Sequence, residues 1–279
     1  RNISALGGDP VLISIAGEDQ GNYLLHSLLN DHELKSVLIA DQSRPTPTKT
    51  RILAQNQQIV RIDNEKTHDI GKETTKLLLA NIKAHLKPDC VVILSDYGKG
   101  LISQSFIDEI KKLGSSLKKP PRLLVDPKIR NFQSYDSCHL LTPNLKEAGE
   151  CSRMALLDNK DAILEAGRKI FESISCKHLL ITLGPQGMAF FDNPDSVFHL
   201  PTAAQKVYDV TGAGDTVIAT VGLALASGAS ELNACILANF AASIVVKEIG
   251  TACASPSSVR AALQAKPDQH ISRWAGDEG

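Results

Sequence analysis

A candidate phosphate-binding and catalytic segment lies in the last third of the chain. It reads Asp209-Val210-Thr211-Gly212-Ala213-Gly214-Asp215-Thr216 and is followed by an apolar, helix-like run, Val217–Ala226. Small residues let the backbone approach a ligand closely, and the unpaired N–H groups and dipole of a helix N-terminus attract a phosphate. Asp215, in the first turn, could accept the proton of an attacking hydroxyl. The segment predicts an anion cradle with a base; an ordinary capped turn is the alternative.

The octapeptide resembles the second signature of the ribokinase-like, or PfkB-type, carbohydrate kinases. Gly7 and Gly17 have the spacing of the two glycines that end the family's first signature. The resemblance implies that Asp215 is the catalytic base and that the amides of residues 212 to 214 form the anion hole.

A second element of the resemblance concerns ATP and its metal. Thr142-Pro143-Asn144-Leu145-Lys146-Glu147 resembles the family's Asn-x-x-Glu element. This implies that the segment binds ATP and that Asn144 and Glu147 serve Mg²⁺ through water. Carboxylate and amide oxygens suit Mg²⁺, although Asn-x-x-Glu after a strand is more often a helix start.

Other nucleotide-side residues are implied by the same resemblance. Ile181-Thr182-Leu183-Gly184-Pro185-Gln186-Gly187 resembles the strand-to-turn element that lines the nucleotide, with a simple hairpin turn as the alternative. Asn239 resembles the position beside adenine, with tight helix packing as the alternative. Asp209 and Thr211 resemble part of a monovalent cation site, so K⁺ is expected beside ATP and Mg²⁺.

Several phrases are similar to the heptose 7-phosphate kinases within this family. They are Leu94–Gly100, Val125–Lys128, Lys49–Arg51 with Asn56–Gln58, Val207–Thr211 and Ile249–Thr251. This similarity implies transfer of the γ-phosphoryl group of ATP to the anomeric hydroxyl of D-glycero-D-manno-heptose 7-phosphate. The product would be the 1,7-bisphosphate, an intermediate of ADP-heptose and lipopolysaccharide core synthesis.

An acceptor that already carries a phosphate needs cationic groups near its far end. Arg51, Lys99 and Lys128 are candidates, because each lies in a loop or lid phrase. Asp96 and Asp126 end predicted strands, at the edge where open α/β sheets bind ligands, and could bind sugar hydroxyls or support Mg²⁺. The alternative interpretation is that these cationic side chains are ordinary exposed surface residues with no ligand.

The composition favours a small-molecule partner. The 279 residues are 43% hydrophobic and 22% charged, which suits one large α/β domain or two small ones. A net charge of −1 and an aromatic content of 4% argue against nucleic acid or an acidic membrane as partner. Because no apolar run reaches about 18 residues, a soluble, cytoplasmic protein is expected. The six cysteines lack a C-x-x-C pair, which predicts reduced core thiols.

The pattern of elements indicates an α/β fold. Short runs rich in Val, Ile and Leu alternate with amphipathic stretches, which predicts βα units on a mainly parallel sheet. Predicted strands are Val11–Ile15, Val37–Ile39, Cys90–Leu94, Leu123–Val125, His139–Leu141 and His178–Thr182. Predicted helices are Gln20–Asn30, Asp69–His85, Ser103–Leu117, Asp158–Ser173, Ala213–Ser227 and Glu231–Glu248. Alternation over Thr48–Asp63 predicts a hairpin, and the resemblance implies a three-layer α/β/α fold with this hairpin as a projecting β lid.

The resemblance covers residues 1–263 and leaves 264–279 as a tail or linker. Arg1 falls inside the family's first signature, so the first strand and part of the lid are expected to precede it. Many similar kinases are fused to an adenylyltransferase with a His-x-Gly-His motif; the motif is absent here, so this chain is expected to supply only the kinase of such a pair.

Three hypotheses remain open at the level of sequence. The first is the heptose 7-phosphate kinase. The second is a kinase of the same family for another sugar, sugar phosphate or nucleoside, and the third is a non-catalytic nucleotide-binding remnant. The free edge of the lid hairpin favours a homodimer in each case.

Overall fold

The computed structural model describes residues 1–54, 57–155, 158–204, 207–248, 250–265 and 271–276. The chain divides into two compact units. The first comprises Arg1–Asp9, Lys87–Tyr97 and Leu117–Gly279, and the second comprises Pro10–Leu86 and Gly98–Ser116. Within the described ranges, no helix is both long and apolar enough to cross a bilayer.

The elements follow one another in the alternating order that the apolar runs predict. The helices are α1 (Asn2–Ala5), α2 (Gln20–Asp31), α3 (Lys72–His85), α4 (Gln104–Ser115), α5 (Leu145–Ser152), α6 (Lys160–Ser173), α7 (Ala213–Ala226), α8 (Glu231–Val245) and α9 (Pro256–Ala265). The strands are β1 (Val11–Ala16), β2 (Lys35–Ala40), β3 (Thr48–Ala54), β4 (Gln57–Asn64), β5 (Val91–Ser95), β6 (Arg122–Asp126), β7 (Leu140–Leu141), β8 (His178–Thr182), β9 (Met188–Asn193), β10 (Ser196–Leu200) and β11 (Ser272–Ala275). Short 3₁₀ helices span Ile129–Tyr135 and Gly184–Gln186.

The first unit is built on one mixed sheet. In the described residues its strand order is β11-β10-β9-β8-β7-β6-β5. Strands β5 to β8 are parallel, as expected for apolar runs buried on both faces, and β9 to β11 extend the sheet with antiparallel pairing. Helices α7 and α8 pack on this sheet through a cluster that includes Leu124, Leu180, Phe190, Val221 and Cys235. The carboxyl ends of the parallel strands therefore share one edge.

The second unit contains two small sheets. Strands β1 and β2 pair in parallel, and α3 packs against both of them and against α4. Strands β3 and β4 form the antiparallel hairpin that the alternation predicts, with Thr48 opposite Asn64. Gln55 and Asn56, within the predicted hairpin, lie outside the described residues. Helix α4 begins as predicted, because the Ser103 hydroxyl accepts a hydrogen bond from the Phe106 amide at 3.3 Å.

The structure differs from the sequence-based expectation in two places. Strands β1 and β2 form their own sheet, whereas the alternation suggested one sheet for all βα units. The segment expected to be an unstructured tail contains β11, which pairs with β10; its neighbours 266–270 and 277–279 lie outside the described residues. All six cysteines are described and none of them forms a disulfide; four of them are buried.

Candidate active site

The predicted anion cradle lies at the start of α7. Gly212 precedes the helix with a φ of +78°, a conformation that glycine adopts without strain. A Cβ on Gly212 or Gly214 would meet no atom within 4 Å, so the backbone is open to a ligand there. The Ala213 amide donates to the carbonyl of Val210 at 3.2 Å. Because a helix leaves its first N–H groups without internal acceptors, the amides of Gly214 and Asp215 are the ones best placed for an anion.

The predicted base, Asp215, has a specific partner. Tyr97, two residues after the end of β5, donates a hydrogen bond from its hydroxyl to Oδ1 of Asp215 at 3.1 Å. Partial loss of hydration and the Asp215 carboxylate both raise the pKa of Tyr97, so the hydroxyl keeps its proton and remains a donor. Sequence reasoning did not single out Tyr97, although its position immediately after a strand end beside Asp96 was a usable signal.

Negative charge accumulates around Asp126 at the end of β6. Burial raises the pKa of Asp126 to about 7, and the carboxylates of Glu147, Asp215 and Asp96 act in the same direction, while Lys128 opposes them. The structure thus brings together four carboxylates that the sequence motifs place in separate segments: Asp96, Asp126, Glu147 and Asp215. Such an excess of oxygen donors over positive charge fits a bound divalent cation such as Mg²⁺.

The Asn-x-x-Glu element forms the N-terminus of α5. Oδ1 of Asn144 accepts from the Glu147 amide at 2.9 Å, and Oε2 of Glu147 accepts from the Asn144 amide at 3.1 Å. These reciprocal bonds form a capping box, so the helix-start interpretation is correct for the backbone. Leu145 and Lys146 form the first turn, and Lys146 is exposed and lies 3.8 Å from Glu150. The contribution of Leu145 and Lys146 to ATP binding stays a prediction.

Lys128 neutralises part of this acidic region. Its Nζ donates a hydrogen bond to Oε1 of the largely buried Glu147. Although burial acts to lower it, the pKa of Lys128 is raised by this bond and by the neighbouring carboxylates. The side chain therefore stays charged, next to the carboxylates that could face phosphate-bound metal.

Asp96 is held differently from Asp126. It is 2% exposed, and its Oδ2 accepts hydrogen bonds from the Tyr135 hydroxyl at 2.6 Å and from Nδ2 of Asn131 at 2.7 Å. The Lys128 amide donates to the same Tyr135 hydroxyl at 3.0 Å. Asp96 thus anchors the 3₁₀ helix that follows Lys128, a positioning role that the sequence did not reveal.

The end of β8 lies beside the start of α5. Thr182 pairs with Asn144 in an isolated parallel bridge, and its amide donates to the Pro143 carbonyl at 3.0 Å. Gly184 has a φ of +60° and open space where a Cβ would be. Gly187 is different, because a Cβ there would lie 2.0 Å from the Leu200 carbonyl oxygen. Gly184 is therefore exposed to a possible ligand, whereas Gly187 closes the β8–β9 hairpin.

Two further predicted residues have structural partners. Asn239 is 4% exposed, and its Nδ2 donates to the Pro201 carbonyl at 2.7 Å, which agrees with the packing alternative. Asp209 accepts from the Thr211 amide at 2.9 Å and from the Gly250 amide at 3.0 Å. Through Oδ2, the Asp209 side chain links the segment before the cradle to the segment after α8, while Oδ1 bonds within its own segment. The monovalent cation beside Asp209 and Thr211 stays a prediction.

Arg51 and Lys99 belong to the second unit. Arg51 is exposed on β3, opposite Arg61 in the hairpin. Nζ of Lys99 donates to Oε1 of Glu65, and this bond is the main reason that the pKa of Glu65 is lowered. Arg44, which sequence reasoning missed, is buried; it bonds Oδ2 of Asp41 at 2.8 Å and the Lys99 carbonyl at 2.7 Å. Arg44 therefore fixes the backbone of the Lys99 loop.

Comparison with known proteins identifies the family. The family model described as pfkB family carbohydrate kinase matches residues 1–258. The chain belongs to this family. PfkB-type kinases are phosphotransferases, and the predicted cradle, the predicted base and the carboxylates described above all lie within the matched residues. The identification confirms the family resemblance expected from the octapeptide.

Curated relatives of this pfkB-family chain are longer than it is. It is 37% identical over 269 residues to the "Bifunctional protein HldE" of Desulfatibacillum aliphaticivorans, covering 96% of this chain and 54% of the relative. The protein of the same name from Geobacter sulfurreducens is 37% identical over 264 residues, covering 94% and 53%. The chain therefore spans about half the length of the curated relatives it matches.

Solved structures confirm the fold of this pfkB-family chain. The phosphofructokinase-2 from Escherichia coli in complex with potassium has a TM-score of 0.77 at 21% identity, covering 95% of this chain and 84% of that one. Ribokinase from Giardia lamblia has a TM-score of 0.77 at 17% identity, covering 94% and 86%. The chain has the ribokinase-like α/β fold.

Proposed function

We propose that the chain is an ATP-dependent kinase that phosphorylates the anomeric hydroxyl of D-glycero-D-manno-heptose 7-phosphate. The observation that carries the proposal is Asp215, placed in the first turn of α7 beside open amides and held by Tyr97. Family membership supports the reaction class. The phrases similar to heptose 7-phosphate kinases, together with relatives named HldE over 94% or more of this chain, support the acceptor.

In the proposed reaction, one carboxylate oxygen of Asp215 accepts the proton of the anomeric hydroxyl. The hydroxyl oxygen forms a bond to the γ-phosphorus of ATP as the bond to the β-γ bridging oxygen breaks, and ADP leaves. The amides of Gly214 and Asp215, aided by the dipole of α7, stabilise negative charge on the transferred phosphoryl oxygens. Tyr97 holds the carboxylate in position during the transfer.

Mg²⁺ fits the carboxylates around Asp126. Glu147, Asn144 and Asp126 are the residues that would hold it, directly or through water, and bound Mg²⁺ would neutralise charge on the ATP phosphates. Lys128 adds a fixed positive charge at the same place, and we assign it to a phosphate of ATP or of the acceptor. Asp96 acts by anchoring the loop that carries Lys128. The roles of Arg51 and Lys99 in binding the acceptor phosphate remain predictions.

The test is ADP release in a coupled assay with the heptose 7-phosphate, comparing the parent with Asp215→Asn. We expect kcat to fall by about 10³-fold or more, because the general base is lost, while ATP still binds. Asp195→Asn, which neutralises an exposed carboxylate in the β9–β10 turn, is the matched control and should keep parental activity. An undiminished rate in Asp215→Asn would refute the assigned base.

The acceptor is tested separately with a panel. Heptose 7-phosphate, fructose 6-phosphate, ribose and adenosine are compared by kcat/KM. We expect the heptose 7-phosphate to be preferred by at least about tenfold, because a cationic site selects a phosphorylated acceptor. A preference for an unphosphorylated sugar would defeat the acceptor assignment and leave the kinase chemistry intact. ATP binding without transfer to any acceptor would favour a nucleotide-binding remnant.

The word "Bifunctional" in the relatives' names bears on partners. We propose that this kinase acts with an adenylyltransferase, fused to it or separate, which consumes the product after its further processing.

We also propose a cytoplasmic homodimer, since ATP is available in the cytoplasm and the β3–β4 hairpin has free edges. Light scattering on the purified protein distinguishes a dimer from a monomer or the tetramer described for Escherichia coli phosphofructokinase-2.

A further inference from the structure

A second cluster of ionisable groups lies in the first unit, at the amino ends of the parallel strands β7 and β8. His139 directly precedes β7, His178 begins β8, and Glu231 is the first residue of α8. Strands β7 and β8 are parallel, and the candidate active-site residues Asn144 and Thr182 lie at their opposite, carboxyl ends. The His139–His178–Glu231 cluster is therefore separate from the kinase site.

The three side chains converge on a small volume. Their ligand atoms all lie within 4.8 Å of one another. Oε1 of Glu231 is 3.2 Å from Nε2 of His139 and 3.7 Å from Nε2 of His178. Two ligand atoms bound to one tetrahedral Zn²⁺ at about 2.0–2.1 Å lie roughly 3.3 Å apart. The two separations from Glu231 are close to this value, and the two histidine nitrogens, within 4.8 Å of each other, can close on one metal ion by side-chain adjustment.

The histidine nitrogens that face Glu231 make no hydrogen bond among the described residues. Among the described side chains, Nε2 of His139 and Nε2 of His178 are both buried without a hydrogen bond, and His178 is only 5% exposed. Nδ1 of His178 lies 3.0 Å from the Asp192 carbonyl oxygen, which can only accept, so Nδ1 carries the proton. Nε2 of His178 then presents a lone pair toward a carboxylate. Two acceptors facing each other in a buried site call for a cation between them.

The protonation states suit metal binding. Burial lowers the pKa of both imidazoles, that of His139 to about 4, so both rings are neutral at pH 7. Although burial acts to raise it, a hydrogen bond from its own backbone amide and the positive charge of Lys177 hold the pKa of Glu231 below its ordinary value. Two neutral imidazoles and one carboxylate are a common donor set for Zn²⁺. The Asp192 carbonyl bonded to His178 is the kind of outer partner that orients a metal-binding ring.

We propose that His139, His178 and Glu231 bind one Zn²⁺ or a similar divalent transition metal, with water as a further ligand. The Glu231 side chain is 28% exposed, which gives solvent access for that water. The metal would join the amino ends of β7 and β8 to the N-terminus of α8, and its role would be structural. The opposing interpretation is a metal-free cluster in which Lys177, whose Nζ lies 4.0 Å from Oε1 of Glu231, is the counterion.

The experiment uses the purified chain, stripped with a chelator, desalted, and titrated with Zn²⁺ alone. Bound metal is measured by mass spectrometry of the desalted protein, and affinity by competition with a chromophoric chelator. We expect about one equivalent bound and a higher melting temperature, because a ligand that binds the folded state stabilises it. His178→Gln and Glu231→Gln should each weaken binding by at least about tenfold.

Three controls keep the outcomes distinct. His199→Gln changes a histidine that contacts the Gln186 carbonyl on the β10 side, and it should bind Zn²⁺ like the parent. Co²⁺ substitution should give a spectrum without a thiolate charge-transfer band, which excludes the free cysteines as the ligands. If His178→Gln fails to fold, the partly exposed Glu231→Gln still tests the site. The proposal would be overturned if the protein failed to bind about one equivalent of Zn²⁺. It would also be overturned if Glu231→Gln and His139→Gln bound Zn²⁺ like the parent. Either result would favour the ion pair between Lys177 and Glu231.

Discussion

The Tyr97 hydroxyl donates a hydrogen bond to Oδ1 of Asp215 at 3.1 Å, and so links the end of β5 to the first turn of α7. The two residues are 118 positions apart in the chain. The bond leaves Oδ2 of the carboxylate available for the acceptor hydroxyl. In the proposed reaction Tyr97 is thus a positioning residue for the base.

Removing this hydroxyl should slow the transfer step. We expect Tyr97→Phe to lower kcat about 5- to 30-fold with little change in the KM for ATP. A hydrogen bond to a charged group contributes roughly 1.5–3 kcal/mol, and the 57% exposure of Tyr97 should keep its contribution at or below the lower part of this range. Steady-state kinetics in the coupled assay give both constants. Tyr23→Phe, at a tyrosine that is 78% exposed, is the control. A change confined to KM would argue against positioning of the base.

The capping box of α5 separates a structural role from a metal-binding role. Asn144→Ala should cost about 1 kcal/mol and lower the melting temperature by about 2–4 °C, because it removes a helix cap. Asn159→Ala removes the equivalent cap of α6, where Oδ1 accepts from the Ala162 amide at 2.9 Å. Both variants should lose similar stability, but only Asn144→Ala should also raise the Mg²⁺ concentration needed for half-maximal activity. Equal Mg²⁺ requirements would show that Asn144 only caps the helix.

Asp126 should make stability depend on pH in the metal-free protein. Its pKa is about 7 in the folded state against 3.8 in the reference state, so unfolding releases a proton between these values. The stability that the protonated form contributes is therefore complete below pH about 4 and is lost as the pH rises through about 7. After allowance for partial solvent screening, the loss should be about 2 kcal/mol.

Urea unfolding at pH 5 and pH 8, in the presence of a chelator, measures this effect. Asp126→Asn should show a smaller difference between the two pH values and should exceed the parent in stability at pH 8. Added Mg²⁺ should narrow the gap between parent and variant at pH 8, since the cation stabilises the ionised carboxylate. Identical pH dependence in parent and variant would contradict the shifted pKa.

The two glycines of the β8–β9 turn should differ in their tolerance of alanine. Gly187→Ala places a Cβ 2.0 Å from the Leu200 carbonyl oxygen at a φ of +95°, and we expect it to destabilise the protein by more than about 2 kcal/mol. Gly184→Ala, at a φ of +60° with open space, should cost only about 1 kcal/mol. Chemical denaturation of the two variants checks the order; a reversed order would contradict the packing of the turn.

Much of the fold follows from local patterns in the chain. Some elements can be predicted because each depends on residues close in sequence. They are the helix cap at Ser103, the apolar strands β6 and β8, and the start of α7. The octapeptide and Asn-x-x-Glu carry the family resemblance for the same reason. Strands β9 and β10 were not predicted, and β11 was expected to be a linker, because their pairing depends on partners elsewhere in the sheet.

The side-chain partnerships of the site could not be predicted. Nothing in the sequence shows that Asp96 bonds Tyr135 whereas Asp126 is influenced by the charge of Glu147, since each aspartate simply lies at or next to the end of a strand. His139 and His178 likewise have no spacing that suggests a pair. They become neighbours only through the register of β7 with β8, in which the His178 amide donates to the His139 carbonyl at 3.0 Å.

Strand β11 has a practical meaning for handling the protein. Shortening the chain after residue 263, where the family resemblance ends, would remove β11 and uncover the hydrogen-bonding edge of β10. An uncovered edge offers its free amides and carbonyls to other molecules and promotes aggregation. The last strand thus acts as a cover for the sheet, and the smallest well-behaved version of this kinase has to retain residues 272–275.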